Sequence, residues 1–271
     1  LDSGISVGII SIISKLHLED GALEQFLTWW DQLVEWGVEG GRFNLGQVDS
    51  PALRERFELT VEEATDFYLA MAKWTAGYPD KHWAPFSEIV DNLLGFPITN
   101  CTYQVCDIWK TDGVREILGH GEIGNCSKIA KDGIPHLGNQ SASMLRSDLL
   151  IKVPQQYGGC SGCNYWSICH GQCPSEGLDG DWRNKSRYCH MWYSLYEYFT
   201  QHLRKEFPEI ALVIDSTEYE DWARSGNFKG LKKVKQEDLI SASIPWSVSA
   251  QNHISREWRA RNVVWRSELF H

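Results

Sequence analysis

The spacing of apolar positions changes period along the chain, and each change marks an element. Ile5 to Ile13 is an apolar, β-branched run, which suits a strand buried on both faces of a parallel sheet. After Asp20, which reads as an N-cap, Leu23, Phe26, Leu27, Trp30, Leu33 and Val34 recur on one face of a helix over Ala22 to Trp36. Gly37 and the Gly40–Gly41 pair are expected to end it. Arg42 to Val48 predicts a second short strand, and Thr60 with Glu63 forms a capping-box pattern ahead of a helix reaching Ala76. The alternation of strand and helix predicts an α/β arrangement of parallel strands with right-handed crossovers. Two such units close neither a sheet nor a barrel by themselves.

From Cys101 to Cys189 the periodicity gives way to cysteine, glycine and short elements, and Tyr193 to Phe207 then reads as an amphipathic helix. Past Pro208 the chain is polar and weakly periodic, ending in the Arg/Trp-rich stretch Arg256 to Arg266. The pattern divides the chain into residues 1–98, 99–207 and 208–271. The longest apolar run, Val7 to Ile13, is far short of the roughly 20 residues that cross a bilayer, so no membrane is expected as a partner. The start at Leu1 has no methionine and no secretory pattern, and reads as a cut edge. A cytoplasmic location is the corresponding expectation.

Charge narrows the picture further. A net charge of −10 argues against a general nucleic-acid binder, because neutralising phosphates takes clustered Lys and Arg. The densest basic run, Lys229 to Lys235, sits in a mixed-charge tail and reads as a solvated face. Thirteen tryptophans point to core packing before they point to function.

The chemistry is concentrated in Cys101, Cys106, Cys126, Cys160, Cys163, Cys169, Cys173 and Cys189. Thiolates are the usual ligands of iron–sulfur clusters, and eight is the number that two fully ligated four-iron cubes require. Cys160-x2-Cys163-x5-Cys169-x3-Cys173 is a dense run, with Gly158, Gly159, Gly162 and Gly171 supplying a permissive backbone. Three blander readings compete. A disulfide framework suits a small secreted domain, yet this chain shows no secretory signal and no cysteine in its first 100 residues. Zinc would suit the Cys160–Cys163 pair but does not predict the x5 and x3 spacings. Unrelated buried cysteines would not cluster this way.

The same residues carry a resemblance. SPASM domains, which follow the barrel of radical S-adenosylmethionine enzymes, show a Cys, a spacer, Gly-x4-Cys, then Cys-x2-Cys-x5-Cys-x3-Cys and a last Cys. Cys106, Gly121 and Cys126 match the first half with a 14-residue spacer, and Cys160, Cys163, Cys169, Cys173 and Cys189 match the second. Cys101 resembles the extra ligand of members whose first auxiliary cluster is fully coordinated. The resemblance implies one [4Fe–4S] cluster on Cys101, Cys106, Cys126 and Cys173, and a second on Cys160, Cys163, Cys169 and Cys189. Local spacing alone groups 160, 163, 169 and 173 instead.

The fold so implied is α/β: the C-terminal portion of a radical S-adenosylmethionine partial (β/α)6 barrel, then a small cysteine-rich α+β SPASM domain. The implied activity is a radical oxidoreductase of the peptide-maturase branch, forming a cross-link or double bond on a ribosomally made precursor. S-adenosylmethionine and a third cluster would serve it, with flavodoxin or ferredoxin as electron donor. The Cys-x3-Cys-x2-Cys motif that starts radical chemistry does not occur in these 271 residues and is expected upstream. Two other readings stand beside it: an electron-transfer or docking subunit without radical chemistry, and a small-molecule dehydrogenase of the same superfamily.

Sulfatase-maturing members carry an Asp directly after the cysteine matched by Cys126, where this chain has Ser127. Asp107 stands at a different place, so formylglycine formation loses support. His120 and Glu122 flank Gly121, and His170 lies between Cys169 and Gly171; each reads first as a loop or supporting residue. Asp179, Asp181, Trp182, Arg183 and Arg187 are expected to brace the cysteine loop by hydrogen bonding. Arg42 and Asn44 lie near a strand end, the edge that faces ligands in barrels, although strand-end solvation explains them equally well.

Overall fold

A computed structural model describes residues 6–96, 98, 100–104, 106, 116, 117, 119, 121, 123, 124, 126, 128 and 146–215. β1 (Gly8–Ile13), β2 (Gly40–Leu45) and β3 (His82–Ala84) form a parallel sheet in the order β1-β2-β3. α1 (Ala22–Glu35) joins the first two strands. α2 (Pro51–Phe57) and α3 (Val61–Thr75) join the second and third, and α4 (Phe86–Leu93) follows. The protein is thus mixed α/β with a small parallel sheet. Its described residues part into two compact units between Val90 and Asp91.

In the first unit the local signals act as physics requires. Thr60 Oγ1 accepts from the Glu63 amide at 3.1 Å while the Glu63 carboxylate accepts from the Thr60 amide at 2.7 Å, which starts α3. All six residues of the stripe predicted for α1 are buried or half-buried. Its N-cap is Gly21, not Asp20, and no side chain caps it. Gly40 and Gly41 open β2 instead of closing α1. A Cβ on Gly41 would lie 2.4 Å from Cη2 of Trp30, so glycine there lets the tryptophan rest directly on the strand. Trp30 is fully buried, its ring 5.2 Å from Phe43 and 5.5 Å from Trp83, and Phe43 stacks on Trp83 at 6.1 Å. This aromatic core binds α1 to one face of the sheet, and Tyr68 of α3 donates to the Phe43 carbonyl at 3.0 Å.

The expectation for β1 needs correcting. Ser11 and Ile13 are buried on one face, but Ile10 is 65% and Ile12 58% exposed on the other. Side by side with them in register stand Arg42 and Asn44 of β2. A β-branched run records strand propensity as well as burial, and here propensity accounts for half of it. The elements of this unit missed from sequence are β3, of three residues, α4, of eight, and α2, which is announced only by Ser50 and by Pro51 at its first turn.

In the second unit β4 (Glu116–Ile117) and β5 (Ile123–Gly124) pair antiparallel. α5 (Arg146–Lys152), α6 (Trp166–Cys169) and α7 (Cys189–Glu206) follow, linked by turns. α7 begins four residues before the predicted Tyr193, because Tyr188 at its N-cap offers no side-chain cap to read. Met191, Leu195, Tyr196, Phe199 and Leu203 form its buried stripe. Among the described residues no helix is long and apolar enough to cross a membrane. Lys229 to Lys235 and Arg256 to Arg266 lie outside the described residues.

Candidate functional site

All eight cysteines are described, and none is in a disulfide. The loop carrying most of them is built on the end of α5. The Cys160 amide donates to the Leu150 carbonyl at 2.6 Å, and Ser161 to Val153 at 3.1 Å, so the chain after Gly158 folds back along the helix. Cys160 then packs with Leu150, Ile151 and Trp166, and Cys163 lies against that group. Hydrogen bonds from the amides of Cys163, Trp166 and Cys169 to the carbonyls of Cys160, Cys163 and Tyr165 wind the next residues into α6.

Beyond Cys169 the chain reverses. His170, Gly171 and Gln172 are three successive left-handed residues, with φ of 52°, 73° and 58°. Two of them carry side chains, which costs on the order of 1–2 kcal/mol each. The reversal separates the direction of Cys173 from that of Cys169. A later segment brings in Cys189: the Lys185 amide donates to Gly158 at 2.8 Å, Ser186 to Gly171 at 2.9 Å and Cys189 to Ser186 at 3.0 Å. The last cysteine therefore opens α7 after crossing the loop that holds Cys160 and Cys169.

The electrostatics follow this path. Burial pushes the Cys160 thiol up to about 12, with negative charge at Cys163 and Cys189 adding to it. Cys169 is pushed well above the ordinary thiol value by burial, then by Cys160, Cys163 and Cys189. Cys163 is raised by burial and by Cys189, and Cys189 by burial, with the Lys185 ammonium opposing in both. These four thiols thus lie within reach of one another's charge. Cys101 is raised by burial and by Cys126, with Lys128 opposing. Cys173 is raised by burial and by Glu176; Lys128 again opposes, as does Ser175, whose hydroxyl lies 3.1 Å from the sulfur.

One buried charged residue of this loop system was invisible to sequence reasoning. Arg146, at the start of α5, is only 2% exposed. Nε donates to the Trp182 carbonyl at 2.7 Å, Nη1 to Gln172 at 2.9 Å and His170 at 3.5 Å, and Nη2 to Asn184 at 2.7 Å and Gly171 at 3.2 Å. It thereby gathers the carbonyls of all three left-handed residues. Hydrogen bonds from a charged group contribute about 1.5–3 kcal/mol each, enough to offset the backbone cost. Burial lowers its pKa, while charge at Cys160, Cys173, Cys106 and Cys169 opposes that. A lone arginine ahead of an apolar helix leaves no signal of this role.

The remaining predicted residues divide. Asp181 and Arg183 pair with each other at 2.8 and 2.9 Å on the surface, Trp182 accepts from Arg146, and the Arg187 amide donates to Glu176 at 2.8 Å. His170 presents its ring to Trp166 edge-on, 5.8 Å between centroids. Arg42 forms an ion pair with the buried Glu88. Asp107, His120, Glu122 and Ser127 lie outside the described residues. Among the described residues no three His, Cys, Asp or Glu side chains converge as a cage for a single metal ion; a tetrahedral zinc site would set its sulfurs about 3.8 Å apart. No family model, no curated protein and no solved structure matches this chain.

Proposed function

We propose that the cysteine-rich unit holds two [4Fe–4S] clusters, one on Cys101, Cys106, Cys126 and Cys173, the other on Cys160, Cys163, Cys169 and Cys189. The observation that carries this reading is the path of the chain, which brings the distant Cys189 back to the loop of Cys160 and Cys169 through the Lys185–Gly158, Ser186–Gly171 and Cys189–Ser186 backbone bonds. Spacing alone would have put Cys173 in that place. The donor chemistry fits: packed thiols resist ionising together, and iron supplies the positive charge that makes their thiolates stable. When bound, such clusters exchange single electrons. The chain's own residues would orient the sulfurs through the left-handed reversal and shield them with Leu150, Ile151 and Trp166.

The wider reading is a radical S-adenosylmethionine oxidoreductase that modifies a ribosomally made peptide. It is supported by the seven-cysteine spacing, and the three parallel strands in sequential order suit a barrel segment as they suit half of a doubly wound sheet.

Anaerobic reconstitution with ferrous iron and sulfide tests the cluster reading. About eight irons and eight sulfides per chain are expected; tightly bound zinc with no iron would sink it. Replacing Cys163 by Ala should halve the iron and leave one cluster's spectrum intact, whereas equal loss of both counts against the division. The radical reading is tested on the complete gene product: reduced with S-adenosylmethionine, it should release 5′-deoxyadenosine, and its absence would overturn that reading.

A further inference from the structure

We propose that Tyr78 and Asp31 form a one-electron oxidation site fed through the tryptophan core of the first unit. A diffusible one-electron oxidant, such as an organic radical, takes an electron from Tyr78 by way of Trp29, Trp30, Trp83 and Trp74, while the Tyr78 proton passes to the Asp31 carboxylate. All six residues belong to the first unit, so nothing in the proposal depends on the cysteines.

The rings form a continuous route. From Trp29, 42% exposed, ring centroids lie 5.3 Å from Trp30, then 5.5 Å on to Trp83, 5.0 Å to Trp74 and 5.0 Å to Tyr78. Aromatic neighbours at such separations are in direct contact, so no step crosses a layer of saturated side chain. The direction is set by where a proton can go. Among the described residues the buried Trp30 Nε1–H has no acceptor. Packing explains the burial of the rings but not a buried donor left unmatched. Trp83 Nε1 donates to the Tyr78 carbonyl at 3.2 Å, and a carbonyl is too weak a base to take the proton. Neither ring, once oxidised, can settle by deprotonating, so each passes the charge on. At the far end the Trp74 indole and the Tyr78 hydroxyl both donate to Oδ1 of Asp31, at 2.8 and 2.6 Å. That is the reach required of a general base. Of the two donors, a phenol bonded to a carboxylate gives up its electron more readily than an indole, so the charge ends on Tyr78.

Partial burial and the bond to Asp31 push the Tyr78 phenol up to about 12, so it enters the reaction protonated at neutral pH. One electron leaves Tyr78 and reduces the oxidant. The phenolic O–H bond breaks, the proton goes to Asp31, and a neutral phenoxyl radical remains beside a carboxylic acid. Tyr78 is only half-buried, which leaves the radical open to a small thiol in solution. The thiol supplies one electron, the proton on Asp31 returns to the phenol, and the thiol loses its own proton to water and becomes a thiyl radical. Oxidising charge is thereby led out of the buried rings.

The test generates ruthenium(III) tris(bipyridine) by a laser flash beside the full chain, with a cobalt(III) ammine as the electron acceptor. Rates are read by transient absorption and radicals are identified by freeze-quench electron paramagnetic resonance. In wild type a tryptophan radical cation should appear first and decay as the phenoxyl radical rises. Tyr78→Phe should lose most of the phenoxyl signal and leave a tryptophan radical that lives severalfold longer. Asp31→Asn keeps an acceptor oxygen but is no base, and should form the phenoxyl severalfold more slowly. A phenoxyl without a tryptophan precursor, a signal undiminished in Y78F, or a D31N rate equal to wild type would overturn the proposal. Should D31N fail to fold by circular dichroism, the wild-type rate measured against phosphate concentration decides. A rate independent of phosphate supports an internal base, and a rate that climbs with phosphate defeats it, because the proton is then leaving to solvent.

Discussion

The two units hold themselves together by different means. Residues up to Val90 rely on side chains: Trp30, Phe43, Trp83, Phe86 and Tyr68 fill one face of a regular sheet, and backbone polar groups are consumed by strands and helices. The cysteine-rich unit has an apolar core along α7, but its loops rely on backbone: they are tied carbonyl by carbonyl, with Arg146 serving where no regular element exists. A periodic core tolerates a change at its surface and fails when a large ring is removed. A loop held by a few polar contacts responds instead to single backbone angles and to charge.

Four measurements break or sharpen this contrast. The largest effect is expected from Trp30→Ala, which should cost the first unit about 3–5 kcal/mol in denaturant unfolding, with hydrogen exchange over residues 6–90 rising far more than over 146–206. Next comes alkali. In the metal-free protein the folded state keeps the Cys160 proton up to about pH 12, while an unfolded thiol releases it near 9.0. The contribution of this thiol to the second unit's stability is therefore fully present below pH 9 and is lost as pH rises toward 12. Tyr78, pushed up from 10.0 to about 12 by partial burial and by its bond to Asp31, gives the first unit a later onset. Simultaneous loss in both would erase the distinction. Gly171→Ala should cost about 2 kcal/mol and weaken cluster retention, because the residue is left-handed and its Cβ would meet Leu150 at 2.6 Å. The smallest effect, about 1 kcal/mol confined to the first unit, is expected from Thr60→Ala through loss of the helix cap.

The same contrast decides what could be read from sequence. Period and caps made α1, α3 and two strands legible, since those residues answer to their neighbours three or four positions away. The open face of β1 was not legible, because Ile10 and Ile13 look alike in a string although one faces solvent. At the site, the residue types and spacing named the eight thiols. Their grouping depends on the reversal at His170 to Gln172 and on the crossing of Lys185 and Ser186, which are tertiary facts. Arg146 was missed for the same reason: five of its hydrogen bonds go to carbonyls, which every residue possesses.

The exposed isoleucines of β1 bear on how the protein behaves in a tube. Among the described residues β1 pairs only with β2. Its sequence, Gly-Ile-Ile-Ser-Ile-Ile, has no charge and no proline to discourage pairing with another copy. With Ile10 and Ile12 both exposed, a lysine in place of either is expected to lower aggregation at high concentration, read by light scattering.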